Sequence, residues 1–411
     1  MRLLLLSILL ILPLISEAQV NWCDIDSRYQ LSPENESYRL YLERVLAREE
    51  HGGIESRTAK YFPVVIHVVA TDEHQPVSMA QALHQLDVLN ADFAGKGENI
   101  DRLLSSFSGL VADANMQFCL ATTDPDGIPT SGITFTHTDV NNIATMTGEE
   151  GRIAIHWDQL GGKTGWPPEK YINIWVGEYG DILGSASFPG MAPYPEEIGL
   201  VIDIEHFGSI GDAGQSGYFG RGHTLTHEMG HFLGLRHIWG GGVTYTCDDS
   251  DDIDDTPNAS GPYYGCPSGE QFSCDVSNMY QNFMDLTDDR CLAAFTHDQV
   301  VRMQAIVDEY YPEIAVEGSC AGSASTLDQW FADLVWAHDA SSDKYVIYSD
   351  TEWTGRKDME VFSSDGKLVL TDVWDDQFSY LLDLNGVSQG VYIVRISNNG
   401  KNNVRKVVVY E

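Results

Sequence analysis

The stretch that decides the fold is His-Glu-Met-Gly-His-Phe-Leu-Gly-Leu-Arg-His, residues 227–237. Helical periodicity places His227 and His231 one turn apart on the same face, so that their imidazoles can share one metal ion. Glu228 lies beside them, where it can accept a proton from a water that zinc activates. We therefore interpret this stretch as the metal-binding part of a helix predicted over residues 224–235.

The third histidine, His237, indicates a catalytic rather than a structural site. On an unbroken helix it would lie about 15 Å along the axis from His227 and point elsewhere. It can close the site only if the chain turns sharply, and Gly234 permits such a turn at positive φ. Three neutral nitrogens then leave one coordination position open, which is the layout of a catalytic zinc site. The alternative, ordinary histidines on an amphipathic helix, is disfavoured by the full motif. His223, one turn earlier, lies outside the motif and is interpreted as a bystander.

The first residues indicate export. A basic start at residues 1–2 precedes an apolar run at 3–15, and Ser16-Glu17-Ala18 ends it with small side chains, so residues 1–18 are predicted to be a signal peptide. A membrane anchor is the alternative, but the run is short and no second run of spanning length follows, so we expect no transmembrane segment in the mature protein. The net charge of −37 argues against a nucleic-acid partner.

The remaining chain divides into three segments. Residues 19–60 are polar, with a helix predicted over 37–50 and little apolar sequence for a core, and we interpret them as a pro-segment. Residues 61–321 alternate predicted strands and helices, which indicates one α/β (α+β) domain. Residues 322–411 carry short strands separated by turn signals and predict a small all-β sandwich.

The predicted strands of the middle segment cover residues 62–69, 116–121, 171–176 and 200–204. Its predicted helices cover residues 78–93, 224–235 and 296–310, and Thr296 with Gln299 three residues on is the expected cap of the last one. In the last segment the predicted strands cover residues 344–348, 359–362, 367–370, 380–383, 391–396 and 404–409.

The histidine motif is similar to the extended zinc motif of the metzincin metallopeptidases. That clan also has a methionine in a tight turn beneath the metal, and Met284 in Gln281-Asn282-Phe283-Met284-Asp285 is the candidate. With Thr224-Leu225-Thr226 before the motif and Asp254-Asp255-Thr256-Pro257 after it, the pattern resembles the pappalysin family over roughly residues 61–320.

This resemblance implies a metzincin-like catalytic domain with a twisted sheet and an active-site helix, acting on proteins or peptides. It implies one catalytic zinc ion bound by His227, His231 and His237. It also implies Glu228 as general base and acid, and Met284 as the hydrophobic floor of the site.

The resemblance also suggests a role for the acidic run at residues 248–255. The carboxylates of this run repel one another and need a positive counter-charge. Bacterial members bind calcium in the loop after the zinc motif, and hard oxygen ligands in a flexible loop suit Ca²⁺. Asp252, Asp255 and the Thr256 carbonyl are the expected ligands of a structural calcium ion.

Seven cysteines in an exported chain indicate disulfides and one remaining thiol. The family pattern implies two bridges that pin the acidic loop to the Met284 turn, Cys247–Cys274 and Cys266–Cys291.

If Cys119 pairs with Cys320, Cys23 is left over. A thiolate from a pro-segment can fill the fourth zinc position, and several metzincins are kept latent in this way. Cys23 is therefore the hypothesised cysteine switch, released by cleavage near Arg57 or Lys60. The alternative is a free or lipid-modified cysteine near the mature start.

Two further positions concern the efficiency and specificity of catalysis. Family members usually carry a tyrosine two residues after the turn methionine, whereas this chain has Leu286, which offers no donor to a tetrahedral intermediate. Asp289 occupies the place where arginine-preferring bacterial members have an aspartate at the base of the S1′ pocket, so we predict cleavage before Arg or Lys. The alternative for Asp289 is an exposed loop acid flanked by Asp288 and Arg290.

The C-terminal stretches 390–396 and 406–409 resemble the sorting domain of bacterial type IX secretion. The resemblance implies secretion machinery as a partner, passage through the periplasm, and release outside the cell or attachment to its surface. A sandwich that binds substrate or carbohydrate is the alternative.

The sequence thus predicts a secreted zinc-dependent endopeptidase that is made as a zymogen. Two other classes stay open: a catalytically weak or silent metal-binding relative, and a calcium-stabilised surface binding or adhesion protein. The presence of Glu228 favours the active enzyme over the silent relative, which would have little use for a base beside the metal.

Overall fold

A computed structural model describes residues 23, 25–29, 31, 35–49, 59–71, 74, 77–127, 130–210, 213–241, 245–314, 316–317, 335–339, 344–348, 356–363, 366–374, 379–384, 386–398 and 401–409. The predicted signal peptide (1–18), Arg57 and Cys320 lie outside the described residues.

The first group of strands lies between residues 60 and 317. Its members are β1 (Lys60–Ala70), β2 (Met116–Leu120), β3 (Ile133–His137), β4 (Ile172–Gly177), β5 (Gly184–Ala186), β6 (Leu200–Asp203), β7 (Gln271–Ser273), β8 (Val276–Asn278) and β9 (Val316–Glu317). All but β7 and β8, which form a separate hairpin, belong to one seven-stranded sheet.

The long strand β1 organises this sheet. It pairs in parallel with β2, β3 and β4, and β4 pairs in parallel with β6. Side chains on both faces of β1 are buried, as expected for a β-branched run inside a mostly parallel sheet. The strand order β2-β1-β4-β6-β5 puts β5 at the edge, antiparallel to β6. An edge strand offers backbone N–H and C=O groups to another extended segment.

The helices are α1 (Ile25–Tyr29), α2 (Glu36–Glu49), α3 (Met79–Phe93), α4 (His223–Phe232) and α5 (His297–Tyr310). The Ser78 side chain caps α3, and Thr296 with Gln299 forms a capping box at the start of α5, as predicted for the second of them. None of the helices that the structure describes has both the length and the apolarity needed to cross a bilayer.

Helix α2 contributes more to the core than its composition suggested. Tyr38, Tyr41 and Val45 are buried and belong to the same apolar cluster as β1, α4 and α5. The ring of Tyr41 contacts Phe188 edge-on, with 4.8 Å between centroids. A segment of polar composition therefore binds through three apolar or aromatic positions on one helical face.

The last group of strands consists of β10 (Val335–Asp339), β11 (Lys344–Tyr348), β12 (Lys357–Ser363), β13 (Leu368–Trp374), β14 (Ser379–Leu382), β15 (Gly390–Asn398) and β16 (Lys401–Val409).

These strands form two antiparallel sheets, β10-β11-β14 and β13-β12-β15-β16. Ile347 and Leu382 from the first sheet share one buried cluster with Met359, Trp374 and Val394 from the second. Two sheets with a common apolar interior make the predicted small β-sandwich. The fold class predicted from the sequence is confirmed for both parts of the chain.

Helix α4 ends earlier than the predicted residue 235, and Gly234 is the reason. Gly234 has φ +84°. Its N–H donates to the His231 carbonyl, and the N–H of Leu235 donates to the Gly230 carbonyl, both at 2.9 Å. This pair of bonds is the Schellman motif, which requires a left-handed residue after the helix. The predicted sharp turn is therefore present.

Replacing Gly234 by alanine should destabilise the protein in two ways. The left-handed conformation would be strained, and the new Cβ would lie 2.5 Å from the Tyr41 hydroxyl and 2.6 Å from Ile306 Cγ1. We expect Gly234→Ala to lower the free energy of unfolding by about 2–5 kcal/mol, measured by urea denaturation.

Gly217→Ala is the matched control. Gly217 also has positive φ (+70°), but a Cβ there would meet no atom within 4 Å, so the strain should cost only about 1–2 kcal/mol. Equal losses in the two variants would contradict the steric part of the argument.

Candidate metal centre

Two of the three predicted zinc ligands, His227 and His231, project from α4. The Nδ1 atom of each ring is hydrogen-bonded to a backbone carbonyl. His227 donates through Nδ1 to the Phe283 carbonyl at 2.7 Å, and His231 donates through Nδ1 to the Leu235 carbonyl at 2.8 Å. A carbonyl can only accept, so these bonds fix the tautomer of each ring. Each Nε2 then keeps its lone pair and is available to a metal.

His237 reaches the site by the turn at Gly234 rather than by helical spacing. Its ring lies flat on the indole of Trp239, with centroids 4.4 Å apart and planes at 8°. The next backbone N–H, that of Ile238, donates to the Met284 carbonyl at 3.3 Å. Stacking on Trp239 and this hydrogen bond hold the His237 imidazole in the position that the turn at Gly234 gives it.

The three Nε2 atoms converge closely. That of His231 is 3.0 Å from that of His227 and 3.3 Å from that of His237. Tetrahedral zinc with bonds of about 2.0–2.1 Å would place neighbouring nitrogens about 3.3 Å apart, so the spacing fits this ion. Burial lowers the pKa of His227 to about 3 and holds the pKa of His231 well below its ordinary value, which favours the neutral rings that a metal requires.

The predicted methionine turn lies directly under α4. Met284 is fully buried, and a Cβ at Gly230 would come within 2.4 Å of its sulfur, so the helix packs on the methionine only because Gly230 has no side chain. The residue before the methionine supplies the Phe283 carbonyl that orients His227. The turn is therefore both a floor for the site and the holder of one ligand.

Glu228 is buried beside the histidines and faces the edge strand β5. A Cβ at Gly184 would lie 2.8 Å from Glu228 Cγ and 3.2 Å from its Oε1. A side chain at residue 184 would displace this carboxyl group. Gly184 was missed in the sequence, because only the fold brings β5 against α4.

Cys23 joins this group from the N-terminal segment. It forms an isolated parallel bridge with Gly184 of β5, and its Sγ lies 3.9 Å from Glu228 Oε2. The sulfur and one nitrogen from each of the three histidines all lie within 4.8 Å of one another. A fourth donor of the type that zinc accepts thus occupies the remaining side of the cluster.

A small pocket, partly open to solvent, adjoins the histidines. Asp289 and Leu286 line it together with His223 and Glu228. Asp289 is buried rather than an exposed loop acid, and its Oδ2 accepts from the Arg221 N–H at 2.8 Å. Burial raises the pKa of Asp289, while the nearby His223 charge and two backbone N–H groups oppose that rise.

His223 is a bystander to the metal-binding cluster, as interpreted from the sequence, but it has a place in the neighbouring pocket. It stands outside the metal-binding cluster, but it lines the pocket and forms a buried ion pair with Asp92 of α3, with 2.8 Å between Nδ1 and Oδ2. Its place one turn before His227 on the same helical face was the available signal. The partner on α3 could not be read from the sequence.

The acidic run at residues 248–255 pairs with an arginine whose role was not predicted from the sequence. Arg236, almost fully buried, pairs with Asp249 at 3.2 Å and with Asp252 at 3.1 Å. Arg236 was visible inside the zinc motif, directly before His237, but its direction could not be predicted. Part of the counter-charge that the run requires is therefore supplied by the protein.

The side chains of two expected calcium ligands have hydrogen-bond partners within the protein. The Asp252 carboxylate also accepts from the Tyr38 hydroxyl at 2.8 Å, and Asp255 accepts from the N–H of Asp298 at 3.0 Å. Within the described part of the chain, the one cluster of at least three His, Cys, Asp or Glu ligand atoms is that of Cys23 with the histidines. Calcium remains a prediction from the resemblance.

Disulfides connect the segments around the site. Cys247 is joined to Cys274 and Cys266 to Cys291, which are the pairs that the resemblance implies. Cys119 is also disulfide-bonded, while Cys320, its expected partner, lies outside the described residues.

Comparison with known families gives two matches. The family described as pregnancy-associated plasma protein-A matches residues 158–308, and the secretion system C-terminal sorting domain matches residues 341–410. The first of these contains α4, the methionine turn and most of α5.

Several fungal proteins described as extracellular metalloproteases are similar in sequence. One from Arthroderma benhamiae is 35% identical over 137 residues, which is 31% of this chain and 44% of that protein, so the chain matches less than half of that relative's length. One from Colletotrichum graminicola is 31% identical over 210 residues, covering 49% of this chain and 71% of that protein.

Solved structures of a bacterial relative extend the likeness. A promirolysin mutant from Tannerella forsythia is 34% identical and covers 71% of this chain and 95% of its own, with a TM-score of 0.64. Mature mirolysin from the same organism, in complex with a cleaved peptide, is 37% identical over 64% of this chain and 100% of its own, with a TM-score of 0.58. The chain therefore belongs to the pappalysin family of metallopeptidases, with a secretion sorting domain at its C-terminal end.

Proposed function

We propose that this protein is a secreted zinc endopeptidase that is made as a zymogen and cleaves before Arg or Lys. The observation that carries the proposal is the convergence of three imidazole Nε2 atoms beside Glu228, at the edge of a sheet. The proposal includes a pro-segment (19–60), a catalytic domain (61–321) and a sorting domain (322–411).

The edge strand β5 supports the choice of an extended peptide as substrate. Its backbone groups on the open side can pair with a peptide, and Gly184 brings that peptide past Glu228. Bound zinc would supply Lewis acidity at the scissile carbonyl and a nucleophile at neutral pH. Glu228 would take a proton from the attacking water and return it to the leaving amine. Mature mirolysin, a relative, has been solved with a cleaved peptide.

Latency is supported by the position of Cys23. Its bridge to Gly184 puts the pro-segment on the same edge of β5 that a substrate would use. Its sulfur faces the three imidazoles, where a thiolate can act as the fourth ligand and exclude water. Lys60 is the first residue of β1 and pairs with Met116, so we propose that the activating cleavage occurs at Arg57 rather than at Lys60.

The proposed preference for Arg or Lys rests on Asp289. Asp289 lines the same pocket as Glu228. The backbone N–H of Arg221 donates to the Asp289 carboxylate and holds it near the start of α4. A buried carboxylate in a pocket pairs with a guanidinium through charge-assisted hydrogen bonds. We assign this pocket to the P1′ side chain, which is one of the two side chains next to the reacting bond.

A second candidate is a relative that binds the metal but hydrolyses peptides weakly. Leu286 favours it, because its aliphatic side chain lines the pocket where a donor to the tetrahedral intermediate would be useful. The two candidates differ in whether the zinc-loaded protein cleaves peptides faster than a variant without the Glu228 carboxylate.

Replacing Glu228 by alanine should remove catalysis without removing the metal. We expect hydrolysis of a peptide library by the activated protein to fall at least about 100-fold, with about one zinc ion per chain retained by elemental analysis. His231→Ala should lose both activity and zinc. Wild-type protein that binds zinc and cleaves no better than Glu228→Ala would identify the silent relative instead.

Replacing Cys23 by alanine should yield a precursor that is active before any cleavage, because no thiol then blocks the metal. The measurement is peptide hydrolysis by uncleaved precursor, with its integrity checked by mass spectrometry. Ser37→Ala, on the exposed side of α2, is the control and should stay latent. A Cys23→Ala precursor as latent as wild type would rule out the cysteine switch.

Replacing Asp289 by alanine should abolish the preference for a cationic P1′ residue. We expect kcat/KM for peptides with P1′ Arg to fall about 10- to 100-fold relative to peptides with P1′ norleucine. Asp288→Ala is the matched control, since Asp288 is the adjacent buried acid, pairs with Arg290 and lies outside the pocket lining. Unchanged cleavage sites in Asp289→Ala would show that the pocket does not read charge through this residue.

A further inference from the structure

The described contacts that hold the N-terminal segment to the proposed catalytic domain lie before Arg57, where we propose the activating cleavage. Besides Cys23, the segment contributes buried side chains to the same apolar cluster as β1, α4 and α5, namely Ile25, Tyr29, Leu31, Tyr38, Tyr41 and Val45. A cut at Arg57 leaves all of them on the N-terminal fragment, from residue 19 to the cut. The cut therefore breaks the covalent link and leaves this interface intact.

Helix α2 supplies contacts that do not involve the metal-binding histidines. Tyr41 is 2% exposed, its ring meets Phe188 edge-on, and its hydroxyl donates to the Gly234 carbonyl at 2.7 Å. The ring of Tyr38 stacks on that of Tyr41 with 5.6 Å between centroids, and its hydroxyl donates to Asp252 at 2.8 Å. Buried aromatic rings whose hydroxyl groups are also hydrogen-bonded are typical anchors of a binding interface.

The C-terminal end of α2 adds ion pairs with α5. Glu49 accepts from the guanidinium of Arg302, whose side chain is only 2% exposed. Arg48 pairs with Glu309 at 2.9 Å. Departure of Glu49 would leave the buried Arg302 cation without this carboxylate partner, which is unfavourable. The helix is thus held near its start by the two tyrosines and at its end by the glutamate, next to the proposed cut.

We propose that α2 is an anchor that keeps the cleaved pro-segment bound, so that the chain cut at Arg57 stays latent until the N-terminal fragment dissociates. This rests on the proposed function, because it presumes a zinc peptidase that Cys23 blocks. While α2 is docked, the Cys23 thiolate is held beside the histidines at a high effective concentration and competes with substrate as it does in the uncut chain. Docking of α2 itself requires neither the thiol nor the metal.

The test uses the zinc-loaded precursor 19–411, in which residues 52–58 are replaced by the recognition sequence of a site-specific protease. The replaced residues carry none of the contacts named above. After the cut, size-exclusion chromatography at a chain concentration of about 10 µM shows whether the fragment co-elutes with the rest of the chain. Peptide hydrolysis is measured in the same fractions. We expect co-elution, with hydrolysis at least about 10-fold slower than after limited proteolysis has digested the fragment.

Tyr41→Ala separates the effect of the anchor from that of the cysteine. Loss of the ring against Phe188 and of the bond to Gly234 should weaken binding of the fragment about 100-fold, so that the cut protein releases it and becomes active. Leu40→Ala, at the neighbouring position of α2 and 42% exposed, is the matched control and should stay latent after the cut. Cys23→Ala should give the converse result, with the fragment still bound and hydrolysis restored.

The possible outcomes are distinct. Release of the fragment by the cut protein with wild-type α2, or by the cut Cys23→Ala variant, would overturn the anchor. If Tyr41→Ala does not fold and bind zinc, Val45→Ala at a fully buried position of α2 takes its place, and its retention of the fragment as tightly as Leu40→Ala would overturn the anchor. If the fragment stays bound but the digested protein hydrolyses no peptide, the proposed peptidase fails by itself, while co-elution supports the anchor.

Discussion

The approach of three imidazole nitrogens to one point is the constraint on which the rest of the structure depends. Atoms that present lone pairs to each other at 3.0 and 3.3 Å repel unless a cation or a proton lies between them. His227 and His231 are placed by one helical turn, but the third ring needs the chain to reverse. Gly230 and Gly234 serve this end, because one admits Met284 beneath the helix and the other permits the reversal.

The edge strand β5 contacts both the active-site glutamate and the N-terminal segment. Gly184 on β5 leaves room for Glu228 and at the same time bridges to Cys23. Under the proposed function, substrate and pro-segment compete for the same backbone groups of this strand. The proposed latency and the proposed substrate alignment then depend on the same short strand, and a change at Gly184 would alter both.

The parts of the site that the sequence predicts are those set by local spacing. The shared face of His227 and His231, the reversal at Gly234 and the capping box at Thr296 each depend on residues within one or two helical turns. The sheet was predicted only as separate strands, because its order depends on which strands pair over long distances. Single β-branched runs such as residues 62–69 carry no information about that pairing.

Side-chain partners far apart in the sequence were not predictable for the same reason. The pairing of His223 with Asp92 joins two helices 131 residues apart. The burial of Arg236 among acidic residues needed a loop whose path no local pattern encodes. The resemblance to a family supplied the methionine turn and the disulfide pairs, which spacing alone would have left as several possibilities.

The contacts of α2 show that Cys23 is not the sole link between the N-terminal segment and the site. The Tyr41 hydroxyl donates to the Gly234 carbonyl at 2.7 Å, at the turn that delivers His237. Tyr38 donates to Asp252 while its ring lies under the Arg236 guanidinium, 5.2 Å from centroid to carbon. Because these contacts flank His237 on both sides, the proposed removal of the segment would also release the turn that holds His237. The shape of the proposed mature site would then depend on how well Gly234, Trp239 and the disulfide-bonded loop keep His237 in place without these tyrosines.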